Sequence, residues 1–174
     1  MNAKLIKYEE ITDSIEHEIA AYIGEVAKGE LSIDAQLRVK GTYRIIKEME
    51  SLGDSGEAIG RILKRCRERD CKFSKQMLQR LNNMVDTVDK AYEAMHANLA
   101  LPVHTIKNID NAYEAESLIN RTRDTLREEH LNNLENPKYN YDTGIFYMDV
   151  VSELEKMGDF IINVSEALID EQGE

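Results

Sequence analysis

The sequence predicts an all-α protein, an antiparallel bundle of long helices, and three observations carry that expectation. Only two prolines, Pro102 and Pro137, interrupt 174 residues. Apolar residues recur at spacings of three and four with no strand-like alternation, which is the helical period. A seven-residue frame, E-x-E-x-x-G-D, stands at 48–54 and returns at 153–159, each time inside a long helical pattern. The length suits one domain with a sizeable core, or two small fused repeats. Lys and Arg number 22 against 33 Asp and Glu, a formal charge of −11. That balance argues against nucleic acid or an anionic membrane as partner and suits cations. No apolar run reaches the ~20 residues of a membrane span, and no signal-peptide core opens the chain. Cys66 and Cys71 lack the C-x-x-C spacing and read as reduced cytoplasmic thiols.

In chain order, the first helix is expected from about Lys4 to Lys28, with an apolar stripe of Tyr8, Ile11, Ile15, Ile19, Tyr22 and Val26. Gly29 supplies its stop, and Ser32 is an N-cap for a second helix reaching about Arg69. A third helix, about Ser74 to Ala97, turns Met77, Leu81, Met84, Val88, Ala91 and Met95 inward. Pro102 then suits the first turn of a fourth helix reaching about Leu134. Asn136-Pro137-Lys138-Tyr139-Asn140 reads as a loop. The fifth helix, about Tyr141 to Ile169, carries Ile145, Met148, Leu154, Met157, Ile161 and Leu168 inward, and the last acidic residues should fray.

The two frames are mildly unfavourable as helices. Residues four apart share a face, so Glu50 stacks over Asp54 and Glu155 over Asp159, repelling by roughly 0.2–0.5 kcal/mol on an exposed helix. Gly53 and Gly158 each cost about 1 kcal/mol relative to alanine. With Gly56 and Gly60, Gly53 narrows one side of the second helix, which suits close approach of another backbone or, alternatively, a kink. The repeat extends outward: the helix before each frame carries an acidic residue with Asp or Asn four later, Glu9 with Asp13 and Glu116 with Asn120. The pattern is pair, single helix, pair. A three-helix unit closes its own core, so residues 71–174 read as a complete second repeat. Residues 1–70 read as a first repeat lacking its leading helix, the two packed as one domain. The missing helix is expected upstream in a longer natural chain, leaving an apolar groove that the isolated chain should cover as a homodimer or close by shifting its own third helix into it.

Several stretches resemble the PhoU family of phosphate-uptake regulators, which are tandem three-helix bundles with E-R-x-G-D-like signatures. The chain is similar above all to the C-terminal cytoplasmic PhoU-like domain of bacterial sodium/phosphate cotransporter-like proteins. The residues that carry this are Tyr8-Glu9-Glu10-Ile11-Thr12-Asp13-Ser14-Ile15-Glu16, Leu126-Arg127-Glu128-Glu129-His130-Leu131, Tyr139-Asn140-Tyr141-Asp142-Thr143-Gly144-Ile145-Phe146-Tyr147, and Gly158 to Ala167. The resemblance implies a non-catalytic regulatory domain of a sodium-dependent phosphate transporter, at the inner face of the membrane as part of an integral membrane protein. Its partner would be a membrane phosphate transporter, in the same polypeptide upstream. The alternative is a free-standing adaptor between a phosphate transporter and its signalling kinase. It also implies metal binding, by iron, Mn, Mg or Zn, at Glu9, Asp13, Glu50 and Asp54 in repeat one and Glu116, Glu155 and Asp159 in repeat two. Asn120 and Ala58 depart from the family pattern.

Clustered carboxylates are hard ligands that suit such cations. Other chemistries lack their residues. A ferritin-like di-iron site needs two Glu-x-x-His pairs, and only Glu93 with His96 has that spacing. His17, His104 and His130 form no helical pair and read as surface or capping residues. There is no G-x-S-x-G, no histidine near either cysteine, and no G-K-S/T after the helical glycines. An enzyme is not expected.

Overall fold

The computed structural model describes residues 3–102, 105–134 and 140–170. They form five helices: α1 Ala3–Val26, α2 Ile33–Glu68, α3 Lys75–Leu99, α4 Asp110–Asn133 and α5 Tyr141–Asp170. No strand occurs among the described residues. The caps explain two of the starts. Ser32 Oγ accepts from Ala35 N and Ser74 Oγ accepts from Met77 N, both at 3.2 Å, each satisfying a first-turn donor that has no partner within the helix. At the far end of α2, Asp70 takes the left-handed conformation (φ 52°) and Cys71 N donates to Cys66 O at 3.0 Å. That geometry stops a helix and turns the chain. Both cysteines are free thiols.

α5 is the axis of the bundle, packing against α2, α3 and α4, while α3 also packs on α4. A helix enclosed on several sides is apolar on more than one stripe. Phe146, Tyr147, Val150, Val151, Leu154, Ile161, Ile162, Val164, Ala167 and Leu168 are accordingly all buried. Ile145, expected inward, is instead exposed; Phe146 beside it takes the core position. The α3 stripe falls as expected, with Leu81, Met84, Val88, Ala91 and Met95 buried.

The expected fourth helix begins later in the chain, at Asp110 rather than Pro102. Pro102 O accepts from Thr105 N and Thr105 Oγ1, at 2.8 and 2.7 Å, in a turn. The chain then crosses the end of the bundle with Ile106 and Ile109 buried in a small core alongside Ile162 and Leu168. Burying those two isoleucines outweighs a few more residues of helix. Asn98 and Asn111 exchange amide hydrogen bonds at 3.2 Å across the connection. His104, the 136–139 part of the expected loop and the acidic end from 171 lie outside the described residues.

α1 differs from the other four. Its extensive packing is on α2 alone, and neither apolar core includes an α1 side chain among the described residues. Leu5, Glu9, Thr12, Asp13, Glu16, Ile19, Ala20 and Ile23 are its half-buried positions. The stripe of Tyr8, Ile11, Ile15, Tyr22 and Val26 lies roughly a quarter-turn away, at 100° per residue, and is exposed. The face that α1 gives to α2 is thus rich in acid.

Candidate functional site

The two frames sit where neighbouring helices approach closely. A Cβ on Gly53 would lie 3.0 Å from Thr12 Oγ1, and one on Gly158 would lie 2.9 Å from Ile119 Cδ1. Thr12 stands three residues after Glu9 and Ile119 three after Glu116, so α1–α2 and α4–α5 repeat one contact at equivalent places. The close approach is by a side chain rather than by another backbone. At Gly56 nothing comes within 4 Å, so that glycine serves no such contact.

Around the first contact the structure gathers carboxylates. Oxygens of Glu9, Asp13 and Asp54 lie within 4.8 Å of one another. That spread fits a shared cation, since ligands on opposite sides of an ion at about 2.3–2.6 Å stand about 5 Å apart. Glu50 falls outside this trio but stays in its field. Burial raises its pKa, and Asp54, Glu16 and Asp13 push it further. Glu9 is raised too, by burial and then by Asp13, Glu57, Asp54 and Glu10. Glu16 and Glu57 were not among the expected ligands. Glu16 was legible as the next same-face position after Glu9 and Asp13; Glu57 is held at 3.1 Å by Arg61 one turn on.

The second copy is built differently. Asn120 Nδ2 donates to Glu116 Oε1, and Asn120 Oδ1 is buried without a hydrogen-bond partner among the described residues. Arg123, standing where Glu16 stands in the first copy, binds Glu155 through Nη1 and Asp124 at 2.9 Å. Burial opposes the Arg123 charge, but Asp124 and Glu155 outweigh it and keep its pKa above the usual value. Asp159 is raised by burial, then by Glu155 and Glu116, with Arg123 acting the other way. A guanidinium thus lies among the expected carboxylates of the second copy and offsets part of their charge.

Another feature escaped the sequence reading. At one end of α3, α4 and α5 a cleft of about 490 Å³ is lined by Arg80, Glu129, His130, Asn140, Thr143 and Tyr147. His130, in the last turn of α4, is half-buried there, and burial lowers its pKa. Arg80 pairs with Glu129 across it. Among the described residues no helix is long and apolar enough to cross a membrane. No family model matches the chain, and neither does any curated protein or solved structure.

Proposed function

We propose that the chain is a non-catalytic regulatory module of PhoU type for sodium-dependent phosphate transport, with a cation site between α1 and α2. One observation supports the cation site above all: the duplicated helix crossing carries a cluster of carboxylates in one copy and a built-in arginine in the other. Where Arg123 neutralises the second cluster from within, the first has an excess of acid that an external cation would neutralise. The regulatory role and the phosphate-transport setting rest on the sequence resemblance, which also supplies the proposed place at the inner face of the membrane.

The test loads the protein with Mn²⁺ or Fe³⁺ under equal conditions and measures bound metal by elemental analysis. Glu50→Gln with Asp54→Asn should lower it more than Glu155→Gln with Asp159→Asn. Asp13→Asn should act on the first site as strongly as Asp54→Asn, because both belong to the close trio. Equal losses at the two copies, or no metal in the unmutated protein, would sink the cation reading. The transport setting is tested separately by the natural reading frame: several hundred residues of hydrophobic helices upstream of Met1 support it.

A further inference from the structure

The exposed stripe of α1 has a pattern that selects its occupant. Tyr8, Ile11, Ile15, Ile19 and Tyr22 follow spacings of three, four, four and three, which read the same in both directions about Ile15. Tyr8, Ile15 and Tyr22 are 60%, 50% and 71% exposed, and the whole run lies on one helix of regular geometry. Two such helices laid antiparallel would set Tyr8 of one beside Tyr22 of the other, Ile11 beside Ile19, and Ile15 on the two-fold axis. The charges bordering the stripe agree. Lys7, Ser14, Glu18 and Glu25 run along its solvent edge and are all exposed, with Lys7 at one end and the two glutamates towards the other. Antiparallel pairing sets like edges of the two helices together and brings Lys7 close to Glu25 of a second copy; parallel pairing sets unlike edges together, leaving Lys7 and the second copy's Glu25 on opposite sides of the seam. Glu25 is already met at 2.6 Å by Lys28 on its own helix, so this charge pair sets direction more than strength.

We infer that α1 is a self-association surface on which two copies of this chain pair antiparallel about Ile15. The inference is independent of the cation site, because the half-buried acidic face of α1 is turned to α2 and the paired stripe borders that face only at Ile19. Stable interfaces bury about 800 Å² per partner, and one helix of 24 residues offers less than that. The dimer is therefore a weak one, forming in the micromolar range.

Sedimentation of the 174-residue chain over a concentration series should show monomer passing to dimer. Ile15→Asp should move the midpoint up at least a hundredfold while leaving the helical circular dichroism unchanged. Orientation is read by oxidative cross-linking with peptide mapping. Ile15→Cys should link to itself, and a mixture of Tyr8→Cys with Tyr22→Cys should link position 8 to position 22 in preference to either self-link. Lys7→Glu should weaken pairing several-fold, and adding Glu25→Lys should restore it. A chain that stays monomeric at several hundred micromolar would overturn the inference, as would a dimer that survives Ile15→Asp or a preferred self-link at position 8. If a longer natural chain protects the stripe from exchange while monomeric, another segment takes the place and the inference fails.

Discussion

Alanine at Gly158 should destabilise the protein, whereas alanine at Gly56 should stabilise it. Both glycines lie within long helices, where alanine is worth about 1 kcal/mol over glycine. At Gly56 the new methyl meets nothing within 4 Å, so that gain stands alone. At Gly158 the methyl would sit 2.9 Å from Ile119 Cδ1 and 3.2 Å from Cγ2. The Cδ1 end can swing aside, but Cγ2 is fixed on a branched carbon, and Ile119 is only 1% exposed among packed neighbours. Forcing a methyl into such a site costs about 1–3 kcal/mol, for a net loss of about 1 kcal/mol. The two variants should thus differ by about 2 kcal/mol, or roughly 4–8 °C in Tm for a chain of this size. Gly53→Ala should fall between them, because only Thr12 Oγ1 comes to 3.0 Å and the other Thr12 atoms stand at 3.7 Å. Urea and thermal melts of the three variants give the order directly. Ile119→Val removes the Cδ1 methyl, so combined with Gly158→Ala it should cost less than the two changes summed. If Gly158→Ala proves as stable as Gly56→Ala, or if the pair is additive, the close approach does not constrain the α4–α5 crossing.

Further outcomes follow from the carboxylates and the core. Burial, then Asp54, Glu16 and Asp13, raise Glu50 above its ordinary 4.5. A raised carboxyl contributes stability that is full below the unfolded value and is lost as pH rises through the folded one. In chelator, Glu50→Gln should therefore stabilise the protein at pH 7 by about 0.2–0.5 kcal/mol, a gain that vanishes below pH about 4. Melts across pH check this, and an unchanged gain at low pH would refute the electrostatic cause. Arg123→Gln should cost about 1 kcal/mol at neutral pH, at the upper end for an ion pair because both partners are largely covered. The loss should shrink in an Arg123→Gln, Glu155→Gln double variant measured against Glu155→Gln alone, what remains belonging to the pair with Asp124. Met84→Ala, at a fully buried site, should cost about 2–5 kcal/mol by urea denaturation.

What could be read from the sequence was whatever local chemistry decides. Helix period and scarce prolines placed the five helices, and Ser32 signalled its own cap. The α4 start failed because Pro102 is a good first-turn residue locally, while the burial of Ile106 and Ile109 is settled by α5, far along the chain. Ile145 failed because an enclosed helix is apolar on several stripes, and periodicity alone does not choose among them. The acidic frames were visible; of the expected residues of repeat one, Glu9, Asp13 and Asp54 come together, while Glu50 stands outside that close trio. The contrast of Glu16 with Arg123 was also visible as letters. Its meaning emerged only when the crossing brought Arg123 onto Glu155.

The packing of α1 chiefly on α2 has a thermodynamic consequence. Lifting α1 away uncovers the acid-rich seam but breaches neither apolar core. Such an opening is a local event with a free energy well below that of global unfolding, so amide exchange should be fastest in α1. If a cation bridges Glu9 and Asp13 on α1 to Asp54 on α2, as proposed, it binds only the closed form. Each tenfold rise in free cation above its Kd would then hold α1 shut by a further ~1.4 kcal/mol. The exchange rate of the α1 amides would report cation concentration on a logarithmic scale, while α3 to α5 stayed indifferent to it.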